Sequence, residues 1–380
     1  MLKKWDLSNQ SRTIQFIAAI ITACFGGWLF HLIKVPIPWL LGPMAALLIA
    51  SRFKNVTFYW PVAMRDTGLI IVGYSIGISF TKSSLSDIIS HLPSMLILTT
   101  LIVLACAGMA FVISKWSGID YPTALTSSIP GGLSQIVIFA EEMKGIDLTI
   151  VTFFHVTRVL VVVFLLPFVV FSPIFLKERT IGSAEIVNNS TPWNQFFPDI
   201  LLFAVICLFA AIIGKKIKLP APYFLAPVMV AALLNLFVLK GLPLPPTFLN
   251  FAQFMVGGYI GLLLKPEKME SKKKIISFAL ISGIIMVGIT MAFSLLLTNT
   301  YHLSTITGFL SLAPGGMDQM GIIAHEVNAD LSTVTSYQLF RMLYIYIAVP
   351  PLLRLVLKLS IRKKQQIINV HGVQRKEEIE

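Results

Sequence analysis

Apolar segments of about 18 residues or more recur along the whole chain of 380 residues, which restricts the fold more than any other feature. Hydrophobic residues make up 56% of the sequence and charged residues 13%, against roughly 45–50% and 25% in globular proteins. This composition excludes a soluble enzyme, a secreted disulfide scaffold and a disordered chain. The 27 Phe residues, with many Leu and Ile, argue against a porin-like barrel. We therefore predict an all-α polytopic protein of the cell membrane.

The net charge of +12 has an explanation that needs no nucleic-acid partner. Lys and Arg accumulate on the cytoplasmic side of membrane proteins. Cys24, Cys106 and Cys207 lie in apolar runs, with no spacing typical of disulfides or metal sites. Nucleotide-binding, serine-hydrolase and zinc-protease motifs do not occur in the sequence. We expect no enzyme, no catalytic residue, no metal and no cofactor.

An internal duplication sets the architecture. The segment PGGLSQIVIFAEE at 130–142 matches PGGMDQMGIIAHE at 314–326, an offset of 184 positions, with 7 of 13 residues identical. The matches are mostly prolines and glycines, so the positions at which the backbone is interrupted recur in both halves. A chance alignment of apolar segments would match Leu and Val instead. Further matches at this offset are Pro36 with Pro220, Pro38 with Pro222, Pro43 with Pro227, Gly73 with Gly257 and Gly77 with Gly261. We predict a first membrane repeat over 1–176, a linker at 177–197, a second repeat over 198–358 and a polar cytoplasmic tail at 359–380.

Each half is predicted to hold about five transmembrane helices and one broken or re-entrant element. The predicted helices are 14–33, 38–51, 63–80, 90–114 and 149–172, then 199–216, 222–239, 247–264, 274–298 and 331–353, and the broken elements are 121–142 and 303–326. With five crossings per half and the N-terminus inside, 23 of the 30 Lys and Arg are cytoplasmic and five are outside. With six crossings per half, 17 Lys and Arg would be cytoplasmic and 11 would be outside. The positive-inside rule favours inverted repeats with both termini cytoplasmic.

The Pro-Gly-Gly breaks are the strongest local signal. Unwound backbone at membrane depth is tolerated only inside protein or beside a cavity, and paired breaks in inverted repeats indicate a solute or ion site. Two structural kinks without a ligand are the alternative. The candidate binding residues here are Pro130, Gly131, Gly132, Ser134 and Gln135 in the first copy, and Pro314, Gly315, Gly316, Asp318 and Gln319 in the second.

Asp318 has Ser134 as its counterpart, so a carboxylate is present in one copy alone. A carboxylate in an apolar element is unfavourable unless it is paired, hydrated or bound to a cation. Asp318 could therefore bind a coupling proton or cation, or it could cap the helix after the break. Glu141 and His325 occupy matching positions in the two copies. They could line a proton route, or they could be solvated loop residues.

Arg158 and Arg341 each lie about ten residues into a helix, close to mid-bilayer. His155 and Gln338 precede them by three positions and share their helix face. Each arginine must face a carboxylate, a carbonyl-lined cavity or an anionic solute. The candidate carboxylates are Glu142, Glu326, Asp147 and Asp330.

Two glycine motifs and one basic loop have simpler explanations. Gly73 with Gly77, and Gly257 with Gly261, form small-xxx-small motifs that favour close packing of helices. The basic loop 265–274 is expected to contact anionic lipid headgroups.

The segments PWLLGP at 38–43, PGGLSQ at 130–135 and APGGMDQM at 313–320 resemble the membrane AbrB family, over about 15–355. That family is also labelled ammonia monooxygenase and is unrelated to the small DNA-binding regulator of the same name. The resemblance implies a connection with regulation of gene expression. The inverted repeat with broken helices also looks like the cation/proton antiporter and anion transporter group, by analogy of fold.

Three functions compete at this point. The first is a secondary transporter for a small anionic or zwitterionic solute, coupled to H+ or Na+. The second is a membrane-embedded regulator that acts through a ligand or partner, and the third is a metal-dependent monooxygenase. Besides the lipid bilayer, the partner expected is the solute, and the sequence leaves the oligomeric state open, a homodimer included.

Overall fold

The structure is a computed structural model, which describes residues 10–53, 56–131, 146–172, 175, 193–263, 272–348 and 351. These ranges hold thirteen helices and no strand, so the all-helical class is confirmed. The helices are α1 (Arg12–Leu32), α2 (Pro38–Ala50), α3 (Val62–Gly77), α4 (Lys82–Ser117), α5 (Tyr121–Ser128), α6 (Leu148–Val170), α7 (Trp193–Lys216), α8 (Pro222–Phe237), α9 (Pro246–Gly261), α10 (Lys272–Tyr301), α11 (Thr305–Leu312), α12 (Met317–Glu326) and α13 (331–348).

Most predicted bounds agree with the structure to within a few residues. The largest difference is α4, which starts at Lys82 and not near 90, because Thr81 caps it by accepting a hydrogen bond from the Ser84 N–H over 3.2 Å. Pro93 lies inside this helix. The helix α7 begins within the predicted linker, at Trp193. The remainder of the linker, the loop at 265–270 and the tail at 359–380 lie outside the described residues.

Unusual backbone conformations recur at the same offset as the sequence matches. Positive φ angles occur at Lys34 (54°) and at its counterpart Lys218 (57°). Such angles are uncommon for residues other than glycine. The other two pairs of counterparts with positive φ are Ile37 with Ala221 and Gly118 with His302. The turns before α2 and α8, and before α5 and α11, are therefore built alike.

The helices form two bundles, and each bundle takes helices from both halves of the chain. The six-helix bundle contains α1, α2, α3, α7, α8 and α9, in which α3 packs against α8 and α9 packs against α2. The seven-helix bundle contains α4, α5, α6 and α10 to α13, in which α4 crosses α10 and α10 also packs against α6. The bundles meet where α12 packs against α3.

Four described helices are long and apolar enough to cross a bilayer: α1, α4, α6 and the part of α10 from Ile275 to Tyr301. Two shorter apolar helices, α2 and α8, accompany them. Most of α6 is buried inside the protein, whereas most of α1 is exposed. These lengths and compositions indicate a membrane protein with α6 at its centre.

The glycine motifs lie where the two halves interlock in the six-helix bundle. A Cβ on Gly73 would lie 2.8 Å from Phe224 O, and one on Gly77 would lie 2.7 Å from Val228 O, both in α8. A Cβ on Gly261 would lie 2.6 Å from Met44 O, and one on Gly257 would overlap Leu40 O, both in α2. The prediction of close helix packing is confirmed, and the contacts join helices of different halves.

We expect Gly257→Ala to destabilise the protein by about 1–3 kcal/mol, because its methyl group would overlap backbone that cannot move alone. The matched control is Gly288→Ala in α10, where a Cβ meets nothing within 4 Å. That substitution should leave stability unchanged or raise it by about 0.5–1 kcal/mol. Thermal unfolding of the two variants in detergent checks the difference, and equal unfolding temperatures would contradict the interlocked packing.

Candidate functional site

Both breaks begin where a short helix ends inside the protein. The helix α5 ends at Ser128 and the chain becomes extended at Ile129, just as α11 ends at Leu312 and becomes extended at Ala313. Pro130 and Pro314 are buried. The second break ends where α12 starts at Met317. The break in 303–326 is therefore confirmed, whereas Gly132, Ser134 and Gln135 lie outside the described residues.

Arg341 in α13 closes the second break from the side. Its Nη1 atom donates to Leu312 O and Ala313 O, both over 2.9 Å, and its Nη2 atom donates to Gly315 O over 3.1 Å. Arg341 is 3% exposed. The last carbonyls of a helix have no partner within the helix and carry the negative end of its dipole. At the end of α11, the buried guanidinium donates hydrogen bonds to these carbonyls and places a positive charge at the negative end of the dipole.

Arg158 in α6 does the same for the first break. Its Nη1 atom lies 3.3 Å from Ser127 O and 3.0 Å from Ser128 O, and its Nη2 atom lies 3.2 Å from Ile129 O. Arg158 is also buried. The two arginines occupy matching positions once a one-residue gap in the repeat is allowed, and they share two equivalent acceptors: Ser128 O and Ile129 O correspond to Leu312 O and Ala313 O. The third acceptor differs.

Both arginines face backbone carbonyls, as one alternative predicted. Pairing with Asp147, Asp330 or Glu326 is wrong, whereas pairing with Glu142 stays a prediction. Asp147 and Asp330 cap the N-termini of α6 and α13, where Asp147 Oδ1 accepts from Thr149 N over 2.8 Å and Asp330 Oδ1 from Ser332 N over 3.0 Å. Glu326 Oε1 accepts a hydrogen bond from Gln253 Nε2. Glu142 lies outside the described residues. The free carbonyls at a broken helix are acceptors enough for a guanidinium.

The residues that precede the arginines by three positions differ in their roles. Gln338 Nε2 donates to Leu310 O over 2.8 Å and to Ala313 O over 3.1 Å, and Gln338 Oε1 accepts from Arg341. His155 Nδ1 lies 3.1 Å from Val151 O of its own helix. Its Nε2 atom makes no hydrogen bond of normal geometry to a described residue. The second break is therefore held by two side chains of α13 and the first by one of α6.

The two guanidinium groups are close enough to each other for a Coulombic interaction, and Cys106 lies near both. Cys106 in α4 contacts Met286 Sδ in α10 over 3.7 Å, which marks the crossing of these two helices. Among the described residues, the ion pair present is Arg65 with Asp66, at 2.6 Å. The centre of the seven-helix bundle thus holds two positive charges without a carboxylate partner in the part of the chain that the structure describes.

Asp318 and Gln319 fold back over the start of α12. Gln319 Nε2 donates to Asp318 Oδ2 over 2.8 Å, and the carboxylate is within reach of the backbone N–H groups of both residues. Asp318 lies in the first turn of α12, but the N-cap residue is Gly316 and no side chain caps it, so helix capping and ion binding by Asp318 both stay predictions. Gln319 Oε1 is buried without a hydrogen-bond partner in the described ranges. A Cβ on Gly316 would overlap Gln319 Oε1 and Asp318 Oδ1, so this position must be glycine for both oxygens to stay in place.

Polar residues in α3 and α9 were missed in the sequence analysis. Gln253 in α9 is 2% exposed and binds Glu326 at the end of α12 over 2.6 Å. Arg65 in α3 lies over the ring of Tyr259, 4.6 Å from its centroid. Amide and ionisable side chains inside apolar helices were the signal that could have identified these residues.

A small cleft lies between the bundles beside Gln253. Its walls come from α3, α9 and α12, so it borders both bundles. It is lined by Val72, Ser75, Ile76, Leu249, Gln253, Ile322 and His325. His325 lies in the last turn of α12 and not in a loop, and it lines this cleft. Glu141, its counterpart, lies outside the described residues. In the ranges described, no three His, Cys, Asp or Glu side chains are grouped so as to bind a metal ion.

Comparison with known proteins gives a consistent result. The sequence model of the family described as "Transition state regulatory protein AbrB" matches residues 39–357. The protein "Putative regulator AbrB" of Escherichia coli (strain K12) is 26% identical over 332 residues, which cover 86% of this chain and 92% of that protein. "Uncharacterized protein YhjN" of Bacillus subtilis (strain 168) is 26% identical over 386 aligned positions, covering 96% of this chain and 98% of that protein.

Proposed function

We propose that this chain, which belongs to the AbrB family, is a secondary transporter for a small anionic or zwitterionic solute. The observation that supports this most is the pair of equivalent breaks, each held by a buried arginine. Unwound backbone held in place inside apolar protein is typical of the solute sites of transporters. A simple kink would not need a guanidinium at each of two equivalent positions.

The sign of the solute follows from the charges at the breaks. Arg158 and Arg341 bring two positive charges into the protein interior, and carbonyl dipoles compensate them only in part. An anion would therefore be favoured over a cation beside the arginines, except where a carboxylate adds a negative charge. Ser134 replaces Asp318 in the first copy. We infer that the solute anion binds at the first break and that Asp318 at the second takes the coupling H+ or Na+.

We also propose that the two halves are inverted repeats in the cell membrane. The charge distribution supports this, and so does the reciprocal packing of α3 on α8 and of α9 on α2. The linker 177–197 would then lie outside and both termini inside. We propose no enzymatic role, since neither the residues nor the relatives favour one, and no observation favours the monooxygenase.

The topology predicts which single cysteines are labelled from outside intact cells. In a variant without Cys24, Cys106 and Cys207, a cysteine at position 188 should react with an impermeant maleimide and one at position 270 should not. Disruption of the cells should make both reactive. Labelling at 270 but not at 188 in intact cells would overturn the inverted arrangement.

Uptake by proteoliposomes tests transport directly. Purified protein would be reconstituted and supplied with labelled small carboxylates, amino acids and phosphate, with and without a pH or Na+ gradient. We expect uptake of at least one anionic or zwitterionic solute above that of empty liposomes, increased by one of the gradients. Fluxes equal to those of empty liposomes, for every solute and every gradient, would reject the proposal.

The alternative is a regulator, which the name of the relative from Escherichia coli favours. A regulator that needs no transport would alter gene expression even when solute movement is blocked. Expression profiles of cells with the wild-type protein, with no protein and with a variant that cannot transport separate the two functions. A profile that follows transport activity supports the transporter.

A further inference from the structure

The hydrogen bond between Gln253 and Glu326 joins the two bundles. Gln253 belongs to α9 of the six-helix bundle, and Glu326 is the last residue of α12 in the seven-helix bundle. The donor and acceptor are 2.6 Å apart, and Gln253 is almost fully buried. A hydrogen bond from an amide to a carboxylate in apolar surroundings is stronger than one between neutral groups. The bond therefore favours the relative position of the bundles that the structure shows.

The packing next to this bond is made by side chains, whereas backbones lie in direct contact within the six-helix bundle. There, glycines such as Gly73 and Gly257 lie directly against backbone carbonyls of the neighbouring helix. At the contact of the bundles, Gly321 of α12 meets the tip of the Ile76 side chain, and the cleft lies beside it. Side-chain tips and a cleft can rearrange more easily than interlocked backbones. Movement is therefore easiest where α12 lies on α3 and α9.

The bond has no counterpart in the other half of the chain. Glu142 corresponds to Glu326, but Leu69 corresponds to Gln253 and cannot donate a hydrogen bond. Alternating access in inverted-repeat transporters moves one bundle against the other. A bond that exists in one half alone stabilises one conformation over the other.

We propose that Gln253 and Glu326 form a latch that holds the two bundles in the described conformation, and that opening it lets α12 move along α3 and α9. This inference rests on the proposed function, because alternating access requires that the bundles move relative to each other. Its test measures that movement alone and needs no knowledge of the solute.

The test uses the reactivity of one buried cysteine. Val72 is 3% exposed and lines the cleft, so Val72→Cys in the background without Cys24, Cys106 and Cys207 reports its opening. We expect N-ethylmaleimide to label it roughly tenfold faster when Gln253→Leu removes the donor, as for the loss of a hydrogen bond to a charged group. Glu326→Gln should give a smaller increase, since the new amide oxygen still accepts. The double variant should match Gln253→Leu alone, because both changes break one bond.

Two controls separate the latch from general stability. Asn235 is a half-buried amide of α8, which donates to Ile78 O and Phe80 O over 3.0 and 3.1 Å without crossing between the bundles. Asn235→Leu should not change the labelling of a cysteine at position 72. A cysteine at Ile102, fully buried in the seven-helix bundle, should keep its slow rate in every latch variant.

Two outcomes would overturn the latch: unchanged labelling at position 72 in the latch variants, or an equal rise at positions 72 and 102. The second would mean that the bond only supports the fold. The labelling experiment measures no transport, so either of these outcomes would reject the latch without deciding whether the protein is a transporter. If the latch variants behave as expected but the liposomes show no uptake, the movement of the bundles is supported and the transporter is rejected.

Discussion

Arg341→Leu is expected to destabilise the protein by about 2–4 kcal/mol and to abolish its activity. The substitution leaves Leu312 O, Ala313 O and Gly315 O without the donor that they have in the native protein. Each buried acceptor that loses its partner costs about 1–3 kcal/mol, and release of the guanidinium from its apolar surroundings offsets part of that sum. Gln338 retains its bond to Ala313 O, which limits the loss.

Arg341→Lys separates the charge from the shape of the side chain. An ammonium group retains the charge but cannot span the three carbonyls as a planar guanidinium does. We therefore expect an intermediate loss of stability, where a purely electrostatic role would leave none. Arg52→Leu, at an exposed position, is the control and should unfold like the wild type. Thermal unfolding in detergent measures all three variants, and a wild-type unfolding temperature for Arg341→Leu would contradict the proposed role of the arginine.

The sequence predicts the breaks well because proline and glycine act locally. Pro130 and Pro314 are each followed by two glycines, and this run interrupts a helix where a single proline, such as Pro93 inside α4, does not. The same run at equivalent points makes the interruption recognisable without tertiary information. The helix bounds follow for a similar reason, since apolar length and capping residues are local. Thr81 shows the limit, because its cap extends α4 through a polar segment that periodicity alone assigns to a loop.

The partners of the buried charges could not be predicted in the same way. The positions of Arg158 and Arg341 at mid-helix were correct, but their acceptors are carbonyls, and every residue has a carbonyl. Which carbonyls lack partners depends on where α5 and α11 end, and which of these an arginine reaches depends on the approach of α6 and α13. A carboxylate side chain is visible in the sequence, whereas a carbonyl without a partner is not.

The mixing of the two halves in each bundle also escapes a reading of the sequence. Any apolar helix can pack against any other, so composition does not say that α3 lies on α8 and not on α2. The glycines carry the information in part, since close packing was predicted at Gly73 and Gly257. Their partners, Phe224 and Leu40, are ordinary apolar residues that contribute backbone oxygens.

Gly316→Ala is expected to abolish transport while leaving the fold stable. A methyl group at this position would occupy the space of Gln319 Oε1 and Asp318 Oδ1, which are the ends of flexible side chains. Both side chains can turn away at a small cost in stability, so α12 should still form. They would then leave the place where we propose that the coupling ion binds, and ion-coupled accumulation should disappear.

Asp318→Asn provides the matched comparison for this glycine. Asparagine caps a helix about as well as aspartate, so a capping role alone predicts normal transport. If Asp318 binds the coupling ion, the variant should exchange solute across the membrane but fail to accumulate it against a gradient. Both variants would be measured in proteoliposomes for exchange and for accumulation. Accumulation at the wild-type rate in Gly316→Ala would show that the two oxygens take no part in transport, and would leave the second break with a structural role only.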